Sequence, residues 1–251
     1  MLSVKNVQRT YGVGANAVEA IRDLSLEADG GEFVCIVGPS GAGKTTLLKC
    51  LSGLMAPTAG TVALDGVLVT EPPEKMASVF QDYSRSLMPW LTVERNVGLP
   101  LRNKFPSAAD RKQRVARALE EVGLTGFGSR YPWQLSGGMQ QRVAIARGLA
   151  YQPEILLLDE PFASVDAQTR ADLEDLTQSV QRATGVTMLL VTHDIDEAVY
   201  LADRIVVMSA RPSVVLETVR VDLPRPRNQL TTKALPEFTR LRGHVLSLIR
   251  G

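Results

Sequence analysis

Cysteine and histidine are both scarce here, two of each in 251 residues. Cys35 lies in the apolar run FVCIV and Cys50 in LLKCLSGL, with no CxxC and no metal-ligand spacing. That pattern fits two buried thiols in a reducing compartment and excludes a disulfide scaffold. Long apolar runs are missing as well. The longest, such as ILLL and TMLLV, fall far short of the ~18–20 residues that a membrane helix needs. The opening MLSVKNVQRT has no apolar core of a leader peptide, so no secretory signal is expected. The chain is therefore expected to be cytoplasmic, and any membrane work would need another polypeptide to span the bilayer. A surplus of either charge is absent too. A net charge of +1 argues neither for nucleic acid nor for a basic partner. No repeat and no low-complexity tract is evident.

What is present is ordinary globular composition, 45% apolar and 22% charged. The length suits one large α/β domain, or a core with a smaller lobe inserted. LSVKNVQRTY and VEAIRDLSLEA read as short alternating strands, and Asp29-Gly30-Gly31 as a turn. Glu32–Val37 reads as a continuous apolar strand. Lys44–Leu54 reads as a helix, ended by Gly53 and Pro57. TVALDGVLV reads as a hairpin around Asp65-Gly66. After the strand MASVF, residues ~82–150 hold helical patterns and no strong strand signal. Ser107, with Asp110 three residues on, looks like an N-terminal cap. Strands return at EILLLDE, TMLLVTH and RIVVMS, separated by helices. Such alternation argues for a mainly parallel sheet covered on both faces. SVVLETVRVDL is strand-like and LPRPRN is a Pro/Arg-rich connector. The last helix carries Phe238, Leu241, Val245, Leu248 and Ile249 on one face.

In open α/β sheets, ligands bind beyond the carboxyl ends of the strands. Four strands here end in polar groups: FVCIV at Gly38, ASVF at Gln81, ILLL at Asp159 and Glu160, and MLLVT at His193. The first is the most specific. Gly38, Pro39, Ser40, Gly41, Ala42, Gly43, Lys44 and Thr45 spell GxxxxGK[ST] between a strand and a helix, with Thr46 following. The glycines let backbone N–H groups wrap phosphates, Lys44 reaches the β- and γ-phosphates, and the Thr45 hydroxyl ligates Mg²⁺. Asp159 suits the Mg²⁺ shell and Glu160 a general base on water. Alone, LLLDE would also fit a strand end with solvated carboxylates. His193 could sense a γ-phosphate or be purely structural. Gln81 could touch Mg²⁺ or the attacking water. A second candidate anion turn is LSGGMQQR, where Ser136, Gly137 and Gly138 open a helix.

GPSGAGKT, VFQD, LSGGMQQR, ILLLDEP, ASVD and VTHD stand in the order and spacing of one family. The chain resembles the nucleotide-binding subunit of an ATP-binding cassette (ABC) transporter over roughly residues 2–222. The resemblance implies a P-loop NTPase core of RecA type, an N-terminal antiparallel β subdomain and a helical subdomain inserted at about 82–150. Residues 223–251 form a linker and an amphipathic helix. It implies ATP and Mg²⁺ as ligands, with Gly38–Thr46 as the Walker A loop. Asp159 becomes the Walker B aspartate, Glu160 the catalytic base, Gln81 the Q-loop glutamine and His193 the switch histidine. Asp166 becomes the D-loop aspartate at a dimer contact. That loop is more often written SALD, so Ala163, Ser164 and Val165 depart mildly. Tyr11 is the candidate that stacks on adenine. DYSRSLMPWLTVERNV, MSARP and DLPRPRN with FTRLRGHVLSLI are similar to the importer branch for nitrate, sulfonate and taurine. Read without that likeness, Leu87, Trp90 and Leu91 are helix packing and the tail is a solvated linker.

The resemblance implies two copies that sandwich ATP head to tail, with Ser136, Gly137 and Gly138 of one closing on ATP at Lys44 of the other. It also implies transmembrane permease subunits packed near residues 82–100 and, indirectly, an extracytoplasmic solute-binding protein. The subunit would then lie peripherally on the inner face of the cell membrane, with no nucleic-acid partner. The competing reading is a soluble ABC ATPase not coupled to transport. Such proteins usually show a coiled-coil insertion, fused cassettes or a basic surface, none of which is visible. A non-catalytic regulator is disfavoured by Glu160.

Overall fold

The computed structural model of the protein describes residues 1–82 and 86–251. In chain order the first elements are β1 (Leu2–Tyr11), β2 (Val18–Ala28), β3 (Phe33–Val37), α1 (Lys44–Leu51), β4 (Ala59–Leu64), β5 (Val67–Leu68) and β6 (Met76–Val79). Then come α2 (Val93–Gly98), α3 (Leu101–Lys104), α4 (Ala108–Glu121), α5 (Gly137–Ala150), β7 (Ile155–Asp159) and α6 (Ala167–Thr184). The chain closes with β8 (Thr187–Thr192), α7 (Ile195–Leu201), β9 (Arg204–Met208), β10 (Ser213–Arg220) and α8 (Pro236–Arg250). Two compact units result: Met1–Pro73 with Gly185–Gly251, and Glu74–Thr184.

In the first unit the strands run in the order β5-β4-β1-β2-β10-β9-β3-β8. All five residues of β3 are buried, and β3 pairs in parallel with both β8 and β9. An unbroken apolar run is what a parallel strand covered on both faces requires. β1, β2 and β4 instead pair antiparallel and alternate, with Leu2 and Val4 buried and Lys5 exposed. That alternation leaves one face of the ribbon wet. β10 joins the two regions, antiparallel to β9 and parallel to β2. There the buried Ser213 hydroxyl donates to Ala20 O at 3.0 Å.

The tail is more than a connector. Arg227 is buried and donates from Nη1 to Tyr200 O and Ala202 O, both at 2.8 Å, while Arg225 pairs with Asp203. The solvated-linker reading of LPRPRN therefore fails at these residues, because α7 ends with carbonyls that need donors. Beyond it, Phe238, Leu241 and Val245 of α8 are buried, while Leu248 and Ile249 are only half-buried.

In the second unit β6 and β7 pair in parallel. No strand occurs among the described residues from 86 to 150. α4 starts at Ser107, whose hydroxyl accepts from Asp110 N at 3.3 Å as the cap signal predicts. α4 buries only Val115, Ala118 and Leu119. α5 is buried on most sides, and Gly148 lets it approach β7, since a Cβ there would lie 2.9 Å from Leu156 Cδ1. Leu87 is buried, yet Trp90 is 70% exposed, so packing does not account for it. Tyr83, Ser84 and Arg85 of DYSRSLMPW lie outside the described residues.

Candidate functional site

Each unit carries its own cluster of expected site residues. In the first, Val37 of β3 and Thr192 of β8 are register partners, so Gly38 and His193 leave neighbouring strands at the same edge. Gly38 has to be small, because a Cβ there would lie 2.9 Å from Met208 O. The loop then turns through Pro39, whose carbonyl accepts from Ala42 N at 3.1 Å. Gly43 holds φ 85° at the N-cap of α1 and offers no side-chain cap. The first-turn N–H groups of α1 thus face an end with no capping side chain, which suits an anion. Lys44 is buried, and its ammonium donates to Gly38 O at 2.8 Å and Pro39 O at 3.1 Å. Ser40, Gly41 and Thr45 are exposed beside it.

Tyr11 reaches the same helix from the end of β1. Its hydroxyl lies 3.1 Å from Thr46 Oγ1 and donates to Met55 Sδ at 3.4 Å. The Arg9 guanidinium sits 4.9 Å from its ring centroid. His193 stands exposed in the bend after β8. Around it Thr192 Oγ1 accepts from Asp194 N at 3.0 Å, and Asp194 Oδ1 caps α7 by accepting from Asp196 N and Glu197 N. The imidazole is therefore placed by a strand end and a helix cap rather than by a flexible loop.

In the second unit Val79 and Leu158 are register partners, so Gln81 and Asp159-Glu160 also leave neighbouring strands together. Gln81 Nε2 donates to Glu160 Oε2 at 3.3 Å. Asp159 is buried at the end of β7. Glu160 takes φ 43°, a left-handed conformation that a non-glycine residue rarely adopts.

Two further turns belong to this unit. Ser136 accepts from Met139 N at 3.3 Å and so caps α5, with buried Leu135 fixing the approach. Asp166 caps α6, accepting from Gln168 N at 3.1 Å, Thr169 N at 3.0 Å and Thr169 Oγ1 at 2.6 Å. The Thr169 hydroxyl, helped by the backbone N–H groups, holds this carboxyl below its usual range. Gly138 packs on Thr169 Cγ2, and a Cβ there would collide. Thr169, Arg9 and Arg227 were not among the expected residues. Only Thr169 left a sequence signal, the D-x-x-T spacing of a helix start.

No three His, Cys, Asp or Glu side chains cluster among the described residues. Thr45, Gln81 and Asp159 offer a hydroxyl, an amide oxygen and a carboxylate. Those are hard donors of the kind Mg²⁺ accepts alongside water and substrate phosphates.

A glycine loop opening a helix, with carboxylates closing a parallel strand, defines a P-loop nucleotide triphosphatase. The chain belongs to the ABC transporter family, whose pattern matches residues 21–163, and it is an ATP-binding, ATP-hydrolysing subunit of that family. It is 42% identical to the aliphatic sulfonates import ATP-binding protein of Bacillus licheniformis, covering 98% of this chain and 92% of that one. It is 40% identical to the nitrate import ATP-binding protein of Synechocystis sp., covering 100% and 95%. An ATP-binding cassette solved as a dimer in a post-hydrolysis state with ADP and Pi superposes with TM-score 0.76 at 35% identity. That match covers 88% of this chain and 99% of the cassette.

Proposed function

We propose that the protein powers an importer for a small anion such as a sulfonate, taurine or nitrate. One observation carries this. A glycine-rich turn that opens α1 at Gly38–Thr46 and a second helix-opening turn at Ser136–Gly138 coexist in a chain that matches import ATP-binding proteins almost end to end. We take residues 1–222 as the ATPase domain, 82–150 as its helical subdomain and 223–251 as the tail.

In this reading Tyr11 stacks on adenine, and Arg9 backs the ring. The amides of Gly38–Thr46 and the Lys44 ammonium hold the phosphates. Thr45, Gln81 and Asp159 would hold Mg²⁺, which when bound neutralises charge on the β- and γ-phosphates. Glu160 takes a proton from the attacking water, and His193 orients the γ-phosphate. As the new P–O bond forms, the bond between the γ-phosphorus and the β–γ bridging oxygen breaks, and ADP leaves with that electron pair. A second copy supplies Ser136, Gly137 and Gly138 to the γ-phosphate and brings its Asp166 loop to the contact. Closure passes to transmembrane permease subunits near residues 82–100, where Trp90 is 70% exposed, with Phe80, just before that stretch, 46% exposed. An extracytoplasmic solute-binding protein would deliver the anion, and the subunit would sit on the inner face of the cell membrane.

Glu160→Gln tests the chemistry. It is expected to retain ATP, trap a dimer and lose turnover about 10²–10⁴-fold. A variant that stays monomeric with ATP and Mg²⁺ and hydrolyses at the wild-type rate removes Glu160 from this role. Purification from native membranes tests the coupling: a multi-span partner should accompany the protein, and its consistent absence favours the soluble alternative.

A further inference from the structure

One side chain of the second unit touches both turns that the dimer reading assigns to the partner-facing surface. Thr169 Oγ1 donates to Asp166 Oδ2 at 2.6 Å, and Thr169 N donates to Asp166 Oδ1 at 3.0 Å. Its other branch, Cγ2, lies against Gly138, which is buried and has no room for a Cβ. A β-branched side chain is stiff about χ1. The two branches therefore cannot move independently: a rotation that releases Asp166 swings the methyl group out of its contact with Gly138. Ser136, whose hydroxyl caps the same first turn of α5, stands two residues from that contact.

We propose that Thr169 is a positioning residue that locks the Ser136–Gly138 turn and the Asp166 loop into one block. This rests on the head-to-tail reading above. The turn that closes over one ATP and the loop at the dimer contact then move together, so occupancy of one composite site is felt at the other. Thr169 itself touches no substrate.

The two branches can be removed separately. T169V keeps the methyl group facing Gly138 and deletes the donor to Asp166. Turnover should fall about five- to tenfold with KM for ATP changed less than about twofold, and the Hill coefficient should drop towards one. T169S keeps the donor but deletes the methyl facing Gly138, so its turnover should fall about five- to tenfold and its Hill coefficient should likewise drop towards one. A second pair reads the other branch. G138A brings a Cβ into Thr169 Cγ2 and should lose turnover, and adding T169S removes the colliding methyl and should restore at least about fivefold.

Wild-type turnover and cooperativity in T169V overturn the lock, as does a G138A defect that T169S leaves untouched. Mixed dimers separate this failure from failure of the dimer reading. If Ser136 and Lys44 variants complement but T169S does not suppress G138A, only the lock is wrong. If suppression holds while complementation fails, the lock between the turns stands and the head-to-tail arrangement falls.

Discussion

Arg227 is a charge buried by its partners. Its Nη1 serves the carbonyls of Tyr200 and Ala202 at the end of α7, where a helix lacks internal donors and favours a cation. Burial, and then the neighbouring Arg225, pull its pKa down to about 10, so it stays charged at neutral pH. Arg227→Met fills similar space but strands two carbonyls. Unfolding in urea should show a loss of about 1–3 kcal/mol. An unchanged midpoint would mean that water replaces the guanidinium. Sequence reading missed this residue because its partners are backbone oxygens, which leave no pattern in LPRPRN. Lys44 and Asp159 were legible for the opposite reason. The phosphate chemistry proposed for them restricts both residue type and spacing, and that restriction is written along the chain.

At the scale of elements, α2 shows what a single buried amide can organise. Asn96 is fully buried and accepts from Met88 N at 2.8 Å. It donates to Met88 O, Leu91 O and Thr92 O at 3.0–3.1 Å. The segment that exposes Trp90 is thereby tied to the helix following it. Asn96→Ala should cost about 1–3 kcal/mol through the backbone groups left unpaired. Stimulation of ATP hydrolysis by the proposed membrane partner should fall further than basal turnover, and equal losses in both would count against a docking role for this segment. The strands and long helices were readable because period and apolar runs report burial directly. The 86–92 segment was not, since its order comes from one amide satisfying several backbone groups.

At the scale of the whole molecule, the chain holds two turns that open helices, at Lys44 in one unit and at Ser136 in the other, and the proposed function assigns both to phosphate. The proposed dimer gives each a partner on the second copy. A Lys44→Ala chain and a Ser136→Ala chain, each inactive alone, should on mixing form some dimers with one intact composite site. ATP-dependent closure of the mixture, followed by size-exclusion chromatography with Mg²⁺, checks this. If mixtures close no better than either variant alone, the turns do not work in trans. Absence of a helix long and apolar enough to cross a membrane among the described residues is compatible with the same reading.

The backbone of Glu160, at φ 43°, has a consequence for how this protein can change. A residue other than glycine in that region costs on the order of 1–3 kcal/mol, which the surrounding fold must offset. Glycine at 160 would relax the strand end and, in the proposed mechanism, remove the base in one step. Heat resistance and ATP turnover therefore pull in opposite directions at this position. A selection that rewards thermal endurance alone would drift towards a sturdier, idle cassette, and only a demand for transport keeps the glutamate in place.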